Sequence, residues 1–221
     1  MPEYHQIETY VDFAVSLDES LDRCKQVFAT LGWTDPSIGR WLDAVSWDVA
    51  EDGIVYSGAN GPHIQVVVGK QPLDVRLMLL GWTPQIIPRL DSPCIELAIL
   101  FDTATIQDLS AWPEVRYKAN VGLAVWQLME QLSRQVMDYG VFFTDEAQDG
   151  KAWRELVQDD GREPWEFELA IVSQKFKARF LPVAGPYVAR EMANQLWLGR
   201  LSSWDRMPWE ASNPATGASG Q

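Results

Sequence analysis

Apolar residues alternate with others at the start of the chain. Ile7, Thr9, Val11, Phe13 and Val15 fall on one side of an extended segment, the period-two signature of a half-buried strand. The period then lengthens. Leu17, Leu21, Cys24, Val27, Phe28 and Leu31 recur at helical spacing, Ser16 and Glu19 form a capping box at the front, and Gly32 stands just past the end. Between Trp33 and Trp47, Asp35-Pro36 and Gly39 predict a loop with one short helix around Arg40 to Val45.

A run of strands is predicted next. Ile54 to Ser57 and His63 to Gly69 flank an Asn60-Gly61 pair that tolerates the positive φ angles of a hairpin turn, so the two segments read as a hairpin. Val75 to Gly81 and Cys94 to Phe101 continue the series, separated by a loop whose Pro84, Pro88 and Pro93 suit no strand or helix interior. Short links between consecutive strands imply an antiparallel meander.

From Thr105 to Tyr139 the helical period returns, with Val121, Val125, Leu128, Leu132 and Val136 on one stripe, Trp126 and Met129 widening it, and Gly140 as its stop. Val141 to Thr144 reads as a short strand and Asp145 to Gln158 as a turn and helix. Trp165 to Val172 reads as a strand with Glu166 and Glu168 on the face opposite Trp165, Phe167, Leu169 and Ile171. Pro186 suits a helix start, with Tyr187, Val188, Met192, Leu196 and Trp197 following at helical spacing. The expected fold is therefore α+β: a mostly antiparallel sheet of about five to six strands with two main helices, Leu17 to Leu31 and Val121 to Tyr139, packed on one face. Residues 1–211 are expected to form one domain, and the small, polar stretch 212–221 a disordered tail.

Composition narrows the class. With 47% hydrophobic residues in 221, a full core is available without staples, and Cys24 and Cys94 read as small buried residues rather than a disulfide framework. No signal-peptide pattern opens the chain and no 18 apolar residues run together, so a soluble, cytoplasmic protein is expected. The formal charge of −13 disfavours nucleic acid and anionic membranes as partners. Between Asp145 and Glu168 nine acidic residues and three basic ones leave a local charge of −6, whereas Lys175 to Arg206 carries six basic residues against Glu191 and Asp205.

Candidate chemistry is sparse. No G-x-S-x-G elbow, Walker loop or G-x-G-x-x-G fingerprint occurs. His5 reads as a tail residue and His63 as a turn residue, and with so few histidines no metal or other cofactor is expected. Glu166 and Glu168 would stand roughly 7 Å apart on one strand face, which a glycosidase could use but any solvated strand face also produces. The unusual quantity is eleven tryptophans, expected to supply both core and one exposed aromatic patch.

The succession of a strand, a capped helix ending in Leu-Gly, antiparallel strands, a long apolar helix and then the turn Tyr139-Gly140-Val141-Phe142-Phe143-Thr144-Asp145 resembles the plan of small bacterial immunity proteins of polymorphic toxin systems, over the residues Phe13 to Gly32 and 139–145. The resemblance implies a non-enzymatic protein that binds and neutralises a protein toxin, and it carries over no catalytic residue. Charge and aromatic content favour the same class: a protein-binding module for a basic partner, contacted through Asp145, Glu146, Asp149, Trp153, Asp159, Asp160 and Trp165. The alternatives are a hydrolase or transferase using carboxylates of the 145–168 region with Arg179 or Arg190, and a structural subunit of a larger assembly.

Overall fold

The computed structural model describes residues 3–12, 16–53, 55, 60–111, 115–159 and 161–211. One antiparallel sheet runs through them. Its strands are β1 (Tyr4–Asp12), β2 (Asn60–Val68), β3 (Gln71–Trp82), β4 (Cys94–Asp102), β5 (Gly140–Asp145), β6 (Leu169–Ser173), β7 (Tyr187–Glu191) and β8 (Gln195–Arg200), in the spatial order β2-β3-β4-β1-β5-β6-β8-β7. The α+β class and antiparallel sheet stand as expected, but the sheet has eight strands rather than five or six.

The difference lies mainly in 187–200, where a helix was expected and a hairpin forms. Tyr187, Val188, Met192 and Leu196 satisfy a helical stripe by coincidence. The free edge of β6 offers a row of unpaired backbone groups, and β8 pairs along it from Leu169 opposite Gly199 to Ser173 opposite Gln195. Met192 N–H donates to Gln195 O and closes the turn between β7 and β8.

A second correction concerns the first hairpin. Asn60 and Gly61 lie inside β2, not in a turn, and β2 pairs with β3 through Gly69 and Lys70, Gly69 supplying the positive φ of +64°. Residues 54 and 56–59 lie outside the described set, as do 13–15 at the expected end of β1 and the expected tail 212–221.

Helix α1 (Leu17–Thr30) begins as its capping box predicts, with Glu19 N–H donating to Ser16 Oγ, and Gly32 beyond it has φ +74°. The short helix α2 spans Pro36–Asp43, capped by Asp35. After the four-residue α3 (Thr103–Ile106), the long helix α4 (Ala119–Ser133) ends six residues before the expected Tyr139, and Gly140 opens β5 instead of stopping the helix. At Gly140 a Cβ would lie 2.9 Å from the Ile171 carbonyl oxygen, so the close approach of β6 requires glycine there.

Helices α1 and α4 pack with Ile7, Val11, Leu97, Ile99 and Val141 into the larger core on one face. The sheet is not bare on the other. There α5 (Lys151–Gln158), the 3-10 segment Gln174–Phe180 and the proline loop bury Tyr10, Phe142, Trp153, Phe167, Phe180 and Leu198 in a second core. Strand β1 sits between β4 and β5 and is covered on both faces, so it is fully rather than half buried, and His5 is a core residue, not a tail.

None of the ten described tryptophans is exposed, which corrects the expected aromatic patch; Trp112 lies outside the described residues. Cys24 and Cys94 are both buried and unbonded to one another. Among the described residues, no helix is long and apolar enough to cross a membrane.

Candidate functional site

Covering both faces of β1 forces its polar residues inside. Tyr4, Gln6, Glu8 and Tyr10 share the face turned toward α5, and the antiparallel register sets Tyr10 directly opposite Glu96 of β4. The turn between β5 and α5 closes over them. Its geometry is local: Asp145 Oδ1 accepts from the N–H groups of Ala147 and Gln148, and Gly150 adopts φ +66° to start α5. That conformation aims Gly150 N–H at Glu8 Oε2, 3.2 Å away, and brings Asp149 to the same place.

Carboxylate oxygens of Glu8, Glu96 and Asp149 consequently lie within 4.8 Å of one another. Glu8 and Glu96 are fully buried, while Asp149 is only partly covered and forms the outer member. Glu8 Oε2 accepts from Gln6 Nε2 (2.8 Å), Thr144 Oγ1 (3.3 Å) and Gly150 N–H, and Glu96 Oε2 accepts from the Trp82 indole at 2.8 Å. Gln6 Nε2 also reaches Asp149 Oδ1. The Arg154 guanidinium lies 5.5 Å from the centre of the Trp82 ring and is the nearby positive charge.

Burial, then the Asp149 charge, pushes the Glu96 carboxyl up to about 8, against the opposing pull of the Trp82 N–H and Arg154. Burial first, then Glu96 and Asp149, raises Glu8 well above the ordinary carboxylate range, and burial raises Asp149 too. Crowded acids of this kind hold protons or gather around a cation.

Beside the cluster lies an open cleft of about 960 Å³ at the Tyr4 end of the sheet, bordered by Glu3, Tyr4, His63, Asp74, Arg76 and Asp102. Tyr4 borders the cleft and feels the charge of Asp149. Its phenol is pushed up to about 12 by burial and then by Asp149, Glu146 and Glu96, with Arg76 acting against them.

The seven contact residues expected from sequence are scattered. Asp145 caps the turn, Glu146 accepts from Glu3 N–H, and Asp149 belongs to the carboxylate cluster. Trp153 is wholly buried against Tyr10 and presents no surface to a partner. Asp159, at the far end of α5, is exposed and paired with Arg179, and Asp160 lies outside the described residues. Trp165 is half-buried, its ring perpendicular to Phe180 at 5.3 Å.

Nor do Glu166 and Glu168 form a pair. Both precede β6, Glu166 is exposed, and Glu168 is buried among Gln148, Ser203 and Arg200. Arg179 is taken by Asp159, and Arg190 lies over Trp197, so neither meets an acidic pair in a pocket.

Sequence reasoning passed over Glu8 and Glu96. A signal was present: Gln6, Glu8 and Tyr10 alternate with the apolar stripe of β1, and Glu96 is the lone charge in the run Cys94 to Phe101. No protein-family model matches this chain, and no curated protein matches it.

Proposed function

We propose that this protein is a non-enzymatic recognition module that takes a basic segment of another protein into the cleft at the Tyr4 end of the sheet. The observation that carries the reading is the border of that cleft, where Glu3, Asp74 and Asp102 outnumber Arg76. A rim of this sign on a chain of charge −13 draws basic partners and repels acidic ones. Strand β2, which contributes His63 and Gln65 to the cleft, is also an edge of the sheet, so an extended segment can pair along it. Toxin neutralisation is the particular form that the resemblance to immunity proteins suggests.

The test is a titration of the full chain with fluorescent lysine-rich and glutamate-rich peptides of equal length at low ionic strength. Tighter binding of the basic peptide, weakened about tenfold by Asp74→Lys and by added salt, is expected. No preference between the peptides, or a preference untouched by Asp74→Lys, overturns it.

A second reading, a carboxylate-dependent hydrolase or transferase, is favoured by one observation: Glu96, raised to about 8, keeps a proton at neutral pH next to Asp149. Hydrolysis of chromogenic esters, phosphates or glycosides by the wild type but not by Glu96→Gln would support it, and inactivity of the wild type on all three classes would remove it.

A further inference from the structure

The carboxylate cluster contains more acceptors than the protein supplies donors for. Besides the bonded oxygens, Glu8 Oε1 and Glu96 Oε1 are buried without a partner. Two neighbours that are not acids share this condition. The Gln6 amide, whose nitrogen bonds Glu8 and Asp149, leaves its buried oxygen unbonded, and the Tyr10 hydroxyl is buried and unbonded as well. Tyr10 points into the cluster: it stands opposite Glu96, shares a face with Glu8, and its oxygen lies 3.7 Å from where a Cβ on Gly150 would be. A buried oxygen that stays unpaired is destabilising, so four together are not explained by packing.

We propose that Glu8, Glu96 and Asp149 bind one hard divalent cation, of the calcium or manganese kind, at the point where their carboxylates converge. The dimensions fit. Oxygens on opposite sides of a calcium ion, each about 2.4 Å from it, are about 4.8 Å apart, and the three carboxylate oxygens lie within 4.8 Å of one another. All the donor atoms are oxygens, which selects hard cations over zinc or copper. Three carboxylates exceed the charge of one divalent ion by a single unit, and Arg154 over Trp82 stands nearby to balance it.

The framework is also rigid enough to hold a fixed geometry, because Glu8 and Glu96 project from adjacent central strands. Only Asp149 comes from a turn. It is the partly covered member of the three, and so the one nearest to solvent. This site is distinct from the peptide-binding reading of the cleft and does not depend on it.

Terbium luminescence tests the site directly, because Trp82 bonds Glu96 and would transfer energy only to an ion bound close by. The full chain, stripped with chelator, is titrated with TbCl3 under tryptophan excitation and then with CaCl2 and MnCl2 as competitors. Expected are sensitised emission saturating at one equivalent, displacement by calcium or manganese, and at least tenfold weaker binding in Asp149→Asn. Circular dichroism checks that the variant is folded, and Glu96→Gln repeats the measurement if it is not. Emission that needs many equivalents, or that is equally strong in a folded variant, assigns the ion to scattered surface carboxylates and overturns the proposal. Absence of both emission and a calcium-induced rise in Tm overturns it too, and leaves the cluster as a holder of protons.

Discussion

Tyr10 lies flat against Trp153, with ring centroids 4.1 Å apart and planes 3° from parallel. The contact joins the central strand of the sheet to the first turn of α5, and so fixes the helix whose preceding turn carries Asp149 and Gly150. Packing on the second face thus determines where the third carboxylate stands. Glu8 and Glu96 lie on the same sheet face as Tyr10 and are fully buried, which gives burial its leading part in raising their carboxyls.

Trp153→Ala removes a fully buried indole from that contact and from its neighbours Trp82 and Tyr139. A loss of about 3–5 kcal/mol in unfolding free energy is expected, as for other large-to-alanine core changes. Urea denaturation measures it. Trp153→Phe keeps an aromatic face against Tyr10 and should lose less than half as much.

His5 gives a pH-dependent prediction. Its Nε2 accepts from the Gln107 amide at 3.0 Å, which leaves Nδ1–H to donate to Thr103 Oγ1 at 3.1 Å, so the ring is held neutral. Burial lowers its pKa from 6.5 to about 4. The unfolded chain then takes up a proton that the folded chain refuses, and stability present above pH 6.5 is lost as pH falls toward 4, by at most roughly 3 kcal/mol. Unfolding free energies of wild type and His5→Gln at pH 7 and pH 5 check this: the wild type should lose about 2 kcal/mol more over that interval. Parallel pH dependences would show that His5 does not titrate there.

How far the fold was legible from sequence depended on the range of the interactions. Helix α1 was plain because Ser16, Glu19 and Gly32 act within a turn or two of chain. The β7–β8 hairpin was hidden, since Tyr187 to Trp197 fits a helix locally and takes strand form only against the free edge of β6. The carboxylate site was hidden for a related reason. Gly150 reaches Glu8 across 142 residues of chain, and that contact exists only once β1 has been inserted between β4 and β5. Tryptophan count misled as well, because Trp197, Trp204 and Trp209 are absorbed by the larger core and Trp153 by a second one that one-sided helix packing would not have needed.

Gly122 lies inside α4, where replacement by alanine would ordinarily add about 1 kcal/mol of stability. Here the opposite is expected. A Cβ at this position would stand 2.5 Å from the Trp204 ring, which is itself stacked on Tyr117 at 4.5 Å and cannot withdraw freely. Gly122→Ala should therefore destabilise the protein by about 1–3 kcal/mol, the usual cost of overpacking. A urea midpoint at or above that of the wild type would mean that Trp204 moves aside without cost.

Arg200 faces the buried carboxylate of Glu168 at 3.5 Å, and Gln148 and Ser203 complete its surroundings. Removing the guanidinium leaves an acid whose side chain is 4% exposed without its counter-charge, the situation that costs about 3–5 kcal/mol in fully buried pairs. Arg200 is itself 31% exposed, and water screens part of the interaction, so Arg200→Ala should cost about 2–3 kcal/mol at pH 7. Burial already raises the Glu168 carboxyl above its ordinary range, with Arg200 the leading opposing influence. Without Arg200 the acid takes up a proton more readily in the folded state than in the unfolded chain, and folding gains stability as pH falls through the raised value. The cost of Arg200→Ala should accordingly shrink between pH 7 and pH 5, and adding Glu168→Gln should remove most of that pH dependence. Denaturation of the two single variants and the double variant at both pH values measures the coupling, and a cost independent of pH would show that Arg200 acts through packing on Tyr187 rather than through the charge of Glu168.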